Sequence, residues 1–322
     1  MNGQLSNGLP RLATSGNRIV NTATGANLIL RGVNRSGLEY ADPDEQGFLS
    51  GAAISRSEIK AIVHDWKCNV VRIPFNQDFV LRGRKGRSGE EYQRALDQII
   101  YWNSLFGAFT ILDLQWLDAD REYGNGNYVP PLPNAASIEL WKLLGSRYRG
   151  EPAVLYDLLN EPHDRLPDDL YPLNREDGGT YPAAQRKVTP REWLPWARTL
   201  TDAVRSQNPD AVVLISGTSW GYDLRGIPMD LPNVVYSTHV YPDKGNDWAG
   251  AFGDLSASVP VFAAELGPKK ENSEVAFVQQ LIAFLTDREI GWAAWSWFNE
   301  PFLIDRYAAT PFGAIVRKSL TT

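Results

Sequence analysis

Two apolar stretches of the chain carry a glutamate at or near their C-terminal end. Residues 157–162 read Asp-Leu-Leu-Asn-Glu-Pro and contain Glu161, and residues 261–267 read Val-Phe-Ala-Ala-Glu-Leu-Gly and contain Glu265. A carboxylate beside a buried strand costs free energy unless it is paired or has a role. If the fold brings the two groups together in a cleft, one can transfer protons while the other attacks a sugar carbon, which is the chemistry of glycosidic bond cleavage.

The elements that would position these glutamates can be read from the hydrophobic pattern. Short apolar runs rich in β-branched residues recur between longer segments whose apolar residues follow a helical period. The short runs predict eight strands, at residues 27–34, 69–75, 109–115, 154–160, 211–217, 234–240, 259–265 and 292–297. The longer segments predict helices at residues 55–67, 90–106, 135–149, 190–207, 273–287 and 311–320.

This alternation predicts an α/β fold, a closed (β/α)8 or TIM barrel, for which about 250 residues are typical. The rival is a doubly wound open sheet, which usually has fewer strands and, in its nucleotide-binding form, a glycine fingerprint after the first strand. Residues 31–37 lack that fingerprint. Residues 1–26, with a turn signal at Ser15-Gly16-Asn17, predict a short N-terminal β-hairpin that closes the bottom of the barrel. Without a repeat or linker, residues 1–322 are predicted to form a single catalytic domain.

The composition argues against several classes of function. A net charge of −6 argues against nucleic acid as a partner, because nucleic-acid-binding proteins present basic patches. The single cysteine, Cys68, leaves no internal disulfide, and the three histidines lack metal-ligand spacing, so we predict neither a metal nor another cofactor. No apolar stretch of about 18 residues is present, so we expect no membrane span.

The N-terminal residues bear on localisation. Residues 1–8 lack the charged and apolar regions of a signal peptide. We expect a secreted protein whose export signal is not part of this sequence. A cytoplasmic location is the alternative. We also expect a monomer.

Polar residues within the predicted strands collect at the C-terminal ends. In a barrel that edge carries the active site, whereas polarity at the opposite edge would indicate a structural role. The residues concerned are Arg72, Gln115, Asn160, Glu161, Ser216, His239, Tyr241, Glu265, Trp297 and Asn299.

The ordered set of motifs at these strand ends resembles glycoside hydrolase family 5, and the resemblance extends from about residue 28 to 300. The matching motifs are Arg72 in Val-Val-Arg-Ile-Pro-Phe, Asn160-Glu161-Pro162, His239-Val240-Tyr241, Glu265-Leu266-Gly267 and Trp295-Ser296-Trp297. The resemblance implies a retaining enzyme with its acid/base after the fourth strand and its nucleophile after the seventh.

The resemblance assigns roles to both glutamates. Glu161 would be the general acid and then the general base, with a pKa raised by burial and by the second carboxylate. Glu265 would be the nucleophile and would stay ionised beside Arg72, with a hydrogen bond from Tyr241. A retaining pair of carboxyl groups should lie roughly 5–5.5 Å apart, against roughly 6.5–9.5 Å for an inverting pair.

Substrate contacts are implied for five further residues. Asn160 would hydrogen-bond the sugar 2-hydroxyl, His239 would orient Tyr241 or a sugar hydroxyl, and Trp297 would be the stacking floor of the subsite that holds the cleaved sugar. The family usually has a histidine after the third strand, where this chain has Gln115 followed by Trp116. Gln115 can donate and accept hydrogen bonds but cannot carry charge, which puts the contact to the glycone sugar in doubt.

The substrate class leaves alternatives open. Loop aromatics suit a long polysaccharide or oligosaccharide chain lying across a cleft, which favours an endo-β-1,4-glucanase, or cellulase. A β-1,4-mannanase or xyloglucanase would use the same catalytic residues, and a non-catalytic carbohydrate-binding barrel would not need both glutamates. The segment 163–188 is a cleft wall or a solvated insertion. The following aromatics are either sugar platforms or loop anchors: Trp116, Trp220, Tyr222 and Trp248.

Overall fold

The computed structural model describes residues 8–117, 131–165, 186–269 and 274–321. All eight predicted strands form and pair in parallel in one closed barrel, in which each strand neighbours the next along the chain and the last pairs with the first. The predicted (β/α)8 architecture is therefore confirmed. The barrel strands are β1 Arg31–Asn34, β2 Val70–Asn76, β3 Phe109–Trp116, β4 Val154–Asp157, β5 Val213–Ser216, β6 Val234–Val240, β7 Val261–Leu266 and β8 Gly291–Ala294.

Helices occupy each of the six segments in which the apolar period predicts them. Two short helices, Phe48–Gly51 and Gln77–Arg82, hold too few turns to show a period. The Ser55 side chain accepts a hydrogen bond from the Glu58 backbone N–H and starts its helix as predicted. The α-helices are α1 Phe48–Gly51, α2 Arg56–Lys60, α3 Gln77–Arg82, α4 Gly89–Phe106, α5 Ala135–Arg147, α6 Pro190–Arg205, α7 Val275–Asp287 and α8 Pro311–Ser319.

The connections that follow β5 and β6 depart from a regular barrel, in line with their weak helical pattern. Residues 218–232, all of which the structure describes, contain turns and no helix. Residues 242–258 form three short turns of 3-10 or π-helix, Pro242–Lys244, Ala249–Gly253 and Asp254–Ala257. None of the helices in the described parts of the chain combines the length and apolar character that a bilayer span requires.

The N-terminal hairpin pairs the strands Leu12–Ser15 and Arg18–Asn21 around a tight turn. Its buried side chains Leu12 and Ile19 share one hydrophobic cluster with residues such as Phe109, at the start of β3. The predicted N-terminal hairpin is therefore confirmed, and its buried side chains pack in a cluster with residues of the barrel strands. The carboxyl ends of the strands are left for the polar residues. The assignment of all 322 residues to one domain stays a prediction.

Two strands end earlier than their apolar runs. β4 ends at Asp157 although Leu158 and Leu159, the next two residues, are also buried in the hydrophobic core. β8 ends at Ala294, three residues before the predicted bound at Trp297. An apolar run reports burial, whereas a strand ends where its ladder of hydrogen bonds ends.

Candidate active site

Arg72, fully buried on β2, is the cation around which the site is organised. Its Nε donates to Asp157 Oδ2 at 2.9 Å, Nη1 donates to Asn34 Oδ1 at 2.9 Å, and Nη2 lies 2.9 Å from Asp113 Oδ1. Burial raises the pKa of the Asp113 and Asp157 carboxyls, and the guanidinium opposes that shift. Burial also disfavours the charged arginine, but its carboxylate neighbours outweigh this and raise the pKa of Arg72. A buried network of charged groups thus fixes the orientation of the Arg72 guanidinium.

Arg72 uses its remaining hydrogen bonds on the site itself. Nη1 donates to Glu265 Oε1 at 3.0 Å and Nη2 to Asn160 Oδ1 at 2.9 Å. The Tyr241 hydroxyl donates to the other Glu265 oxygen, Oε2, at 2.7 Å. Both predicted contacts to Glu265 are therefore present. Burial, then the charge of Glu265, raises the pKa of Tyr241, so the phenol keeps the proton with which it orients the carboxylate.

Glu161 has a different set of partners. Its Oε1 lies 2.9 Å from His239 Nδ1 and accepts a hydrogen bond from Lys244 Nζ at 3.1 Å. Burial alone would raise the pKa of Glu161, but the Lys244 ammonium and His239 outweigh it and lower the pKa to about 2. The prediction of a raised pKa is therefore wrong for this structure. The lowered pKa is caused mainly by Lys244, whose position beside the acid/base no sequence pattern indicated.

The two glutamates are close neighbours. One donor atom from each of Glu161, His239 and Glu265 can be chosen so that all three lie within 4.8 Å of one another. Such a trio could in principle hold a metal ion, but the cationic and hydroxyl donors described above already bond to the carboxylate oxygens. The nearest oxygens of the two carboxyl groups are therefore closer than the roughly 6.5–9.5 Å that separates the carboxyl groups of inverting glycosidases.

A cleft of about 1070 Å³ opens at the carboxyl ends of the strands, above the glutamates. Among the residues predicted to act in catalysis or to contact substrate, the following line it: Gln115, Trp116, Asn160, Glu161, Tyr241 and Glu265. The side-chain amide oxygen of Gln115, Oε1, is buried and has no hydrogen-bond partner within the described residues.

The family is decided by comparison with known proteins. The model of a family described as cellulase (glycosyl hydrolase family 5) matches residues 22–301. The chain belongs to glycosyl hydrolase family 5. It is accordingly a glycoside hydrolase, and the glutamate pair lies where the motifs of this family placed it.

Relatives known by name are distant. Endoglucanase N of Pectobacterium atrosepticum is 22% identical over 282 residues, which are 84% of this chain and 54% of that protein. An endoglucanase of Paenibacillus polymyxa is 26% identical over 255 residues, 71% of this chain and 59% of that protein. The family 5 chain therefore spans about half the length of the curated relatives it matches.

Solved structures agree in fold. The β-glucanase SdGluc5_26A from Saccharophagus degradans superposes with a TM-score of 0.75 at 18% identity, covering 98% of this chain and 94% of that one. The same β-glucanase has been solved in complex with cellotetraose, with a TM-score of 0.74. The catalytic domain of Thermobifida fusca endoglucanase Cel5A gives 0.71 at 18% identity, covering 97% of each chain.

One of the site residues expected from the family 5 motifs lies elsewhere. Trp297 is only 2% exposed and packs edge-on against Trp66, with ring centroids 4.9 Å apart, in the core outside the barrel. Its prediction as the stacking floor is wrong, because β8 ends at Ala294 and the residues after it are displaced from the predicted positions. Trp295, partly exposed, lines the cleft in its place.

Trp220 lines the cleft on the side of the acid/base. Its ring stacks on His163 with centroids 4.1 Å apart and planes at 22°. The Trp220 backbone N–H donates to Pro162 O at 3.1 Å, and its carbonyl accepts from Lys244 Nζ. The Trp220 ring, the His163 ring on which it stacks and Lys244, which bonds to Glu161, are therefore connected to one another.

The other loop aromatics divide between the two interpretations. Trp116 lines the cleft with Tyr40, at 5.9 Å between ring centroids, and Tyr222 lines it as well. Trp248 packs edge-on against Phe277 at 5.4 Å and is a loop anchor. Of the segment 163–188, residues 166–185 lie outside the described residues, so its role as a cleft wall stays a prediction.

A glycine fixes the histidine beside Glu161. Gly221 has φ +73°, and a Cβ there would lie 2.8 Å from the His239 ring. Its carbonyl also accepts the His239 backbone N–H at 3.1 Å. Only glycine allows the backbone to pass this close to the ring in this conformation.

Sequence reasoning missed several residues of the site. Asp113 and Asp157 interrupt apolar runs near their C-terminal ends, which is the same signal that pointed to the glutamates. Glu39, after β1, lines the cleft, and burial raises its pKa to about 8. Its Oε2 accepts the Gly37 backbone N–H at 2.6 Å. Lys244 follows its strand in an irregular loop, where no pattern marks it.

Proposed function

We propose that this chain is a retaining endo-β-1,4-glucanase that hydrolyses β-glucan chains by double displacement. The observation that carries the proposal is the pair Glu161 and Glu265, whose oxygens approach within 4.8 Å at the base of a cleft. The naming of several relatives as endoglucanases and the cellotetraose complex of a structural neighbour support the choice of substrate.

In the first step, a Glu265 oxygen attacks the anomeric carbon while Glu161 gives a proton to the departing glycosidic oxygen. The bond to the leaving sugar breaks and a glycosyl ester with Glu265 forms. Arg72 and Tyr241 hold the nucleophile so that one oxygen is presented to the sugar, which reduces the reorganisation needed at the moment of attack.

In the second step, Glu161, now a carboxylate, takes a proton from water. The water oxygen attacks the same anomeric carbon and releases Glu265. Two inversions return the original configuration.

Asn160 has a fixed orientation suited to substrate recognition. Because Arg72 donates to its Oδ1 at 2.9 Å, the amide NH2 group remains as the donor for a sugar 2-hydroxyl. Such a contact strengthens as positive charge develops at the neighbouring anomeric carbon.

The aromatic residues suit a chain that extends beyond one sugar. Trp116 and Trp295 line the part of the cleft formed by β3 and β8, and Trp220 lines the part formed after β5. Aromatic faces on both sides of the glutamates favour cleavage within a chain. Polysaccharide chains that extend across such a cleft are encountered outside the cell, so we infer that the enzyme is secreted.

Reducing-sugar release from carboxymethyl cellulose, β-mannan and xyloglucan tests the proposal, with wild type and Glu265→Ala side by side. We expect the fastest release from the glucan and none from the variant. Faster release from mannan or xyloglucan would replace the substrate with that of another family 5 enzyme. Full activity of Glu265→Ala would overturn the assignment of the nucleophile.

The stereochemistry and mode of cleavage are measured separately. Proton NMR of the first product from a cello-oligosaccharide should show the β-anomer before mutarotation. The viscosity of carboxymethyl cellulose should fall well before much reducing sugar appears, because internal cleavage shortens chains quickly. An α-anomer as the first product would contradict retention.

A further inference from the structure

Lys244 connects the acid/base to the cleft wall. Its Nζ donates to Glu161 Oε1 at 3.1 Å and to the backbone carbonyl of Trp220, and it lies 5.5 Å from the centroid of the Tyr241 ring. The side chain is 15% exposed, so water screens the ion pair only in part. The lysine belongs to the short turn Pro242–Lys244 that follows β6.

Besides the Lys244 ammonium, charged and titratable groups from β6 and β7 surround Glu161. From β6 comes His239, with Nδ1 at 2.9 Å, and Tyr241 follows it. From β7 comes Glu265, a like charge within 4.8 Å, whose own cation is Arg72 at 3.0 Å. Arg72 is thus committed to the nucleophile. The lysine supplies the cation of the acid/base.

We propose that Lys244 is a positioning residue that holds Glu161 as a carboxylate in the free enzyme and must move off it before the acid/base can carry a proton to the leaving sugar. The inference rests on the proposed function of the same site. The proton comes from solvent, and it occupies the oxygen from which the ammonium has withdrawn.

The two steps of the reaction need opposite states of Glu161. The first step needs the protonated form, which the ammonium opposes. The second step needs the carboxylate, which the ammonium stabilises. Lys244 is also bonded to the Trp220 carbonyl, and both residues line the cleft, so in this proposal sugar binding beside Trp220 is coupled to release of Glu161.

The test is the pH dependence of kcat/KM for a cello-oligosaccharide in wild type and Lys244→Met. The alkaline limb reports loss of the proton from Glu161 in the free enzyme. We expect it to move upward by about one to three pH units in the variant, which is the range over which a nearby opposite charge shifts a carboxyl pKa. Lys244→Arg keeps the charge and should keep the wild-type limb.

A matched control is Lys269→Met, since Lys269 also lines the cleft but forms its ion pair with Asp243. Its alkaline limb should coincide with that of the wild type. A Lys244→Met limb that coincides with both would overturn the proposal.

An activated substrate locates the effect. Dinitrophenolate departs from a dinitrophenyl cellobioside without needing a proton. The alkaline limb of kcat/KM for this substrate should therefore not change in Lys244→Met. An equal shift with both substrates would place the effect on a group other than the proton donor and contradict the assignment to Glu161.

Carbon-13 NMR of labelled glutamate carboxyls separates this inference from the proposed function, with Glu161→Gln assigning the resonance. The Glu161 carboxyl should titrate at higher pH in Lys244→Met than in the wild type. If it does so while no β-glucan is hydrolysed, the proposed function fails and the lysine inference stands. An unchanged titration would overturn the inference whatever the activity.

Discussion

The two glutamates of the site have contrasting surroundings. Glu265 lies at the end of β7 and is held by Arg72, from the barrel interior, and by Tyr241. Glu161 lies on a loop after β4 and is held by His239 and by Lys244, from a partly exposed turn. Both carboxylates thus have one partner from a barrel strand, but the cation of Glu265 is buried in the barrel, whereas the cation of Glu161 lies on a partly exposed turn.

This difference corresponds to what each group has to do. A nucleophile keeps one protonation state until it attacks, so a rigid buried cation serves it well. An acid/base changes its protonation state twice in a cycle, so a cation that can move away serves it better.

The largest effect separates the two glutamates with an activated substrate. Glu265→Gln should lose activity on the order of a million-fold toward both cello-oligosaccharides and dinitrophenyl cellobioside, because no covalent intermediate can form. Glu161→Gln should lose about 100- to 10,000-fold toward the oligosaccharide, yet it should still release dinitrophenol in a burst. Stopped-flow absorbance measures the burst. A burst from Glu265→Gln and none from Glu161→Gln would exchange the roles of the two residues.

Removal of the buried cation tests the rigid side of the comparison. Arg72→Met leaves Asp113, Asp157 and Glu265 without their common partner and should lower the free energy of unfolding by about 3–5 kcal/mol. Urea denaturation measures the loss. Arg94→Met is the control, because its ion pair with Glu90 on α4 lies at the surface and should contribute less than about 1 kcal/mol. Equal losses in the two variants would show that the buried network does not stabilise the fold.

Glu39 is a third carboxyl of the cleft, and it has no committed cation like those of the other two. Burial raises its pKa from 4.5 to about 8. Its folded pKa is therefore above its unfolded pKa, so its contribution to stability is complete below about pH 4.5 and is lost as pH rises through 8.

Glu39→Gln should remove that pH dependence. Relative to wild type, the variant should gain roughly 2–3 kcal/mol in the free energy of unfolding between pH 5 and pH 7, at about 1.4 kcal/mol per pH unit. Denaturation at pH 5, 6 and 7 measures it. Glu139→Gln, exposed on α5, should show the same difference from wild type at each pH. If the free energies of unfolding of wild type and Glu39→Gln changed in parallel with pH, that would contradict a buried, uncharged Glu39 carboxyl.

The sequence predicted the framework of the site well because one signal encodes it. A buried strand that ends in a polar residue marks both the strand and the rim of the barrel, and Glu161 and Glu265 were found in this way. Arg72 was found as a charge inside an apolar strand. Trp297 was misplaced because an apolar run does not show where the ladder of hydrogen bonds stops. Lys244 was missed because the path of an irregular loop depends on contacts distant in sequence, which periodicity does not record.

The smallest effect concerns the hydroxyl on the nucleophile. Tyr241→Phe removes one hydrogen bond to Glu265 while Arg72 still holds the other oxygen. A hydrogen bond to a charged group contributes about 1.5–3 kcal/mol, so kcat should fall roughly 10- to 100-fold while KM changes little. Steady-state kinetics on a cello-oligosaccharide measures both, and Tyr101→Phe, on the outer helix α4, should match the wild type. A change confined to KM would show that Tyr241 contacts the substrate rather than orienting Glu265, and the buried framework would then hold the nucleophile through Arg72 alone.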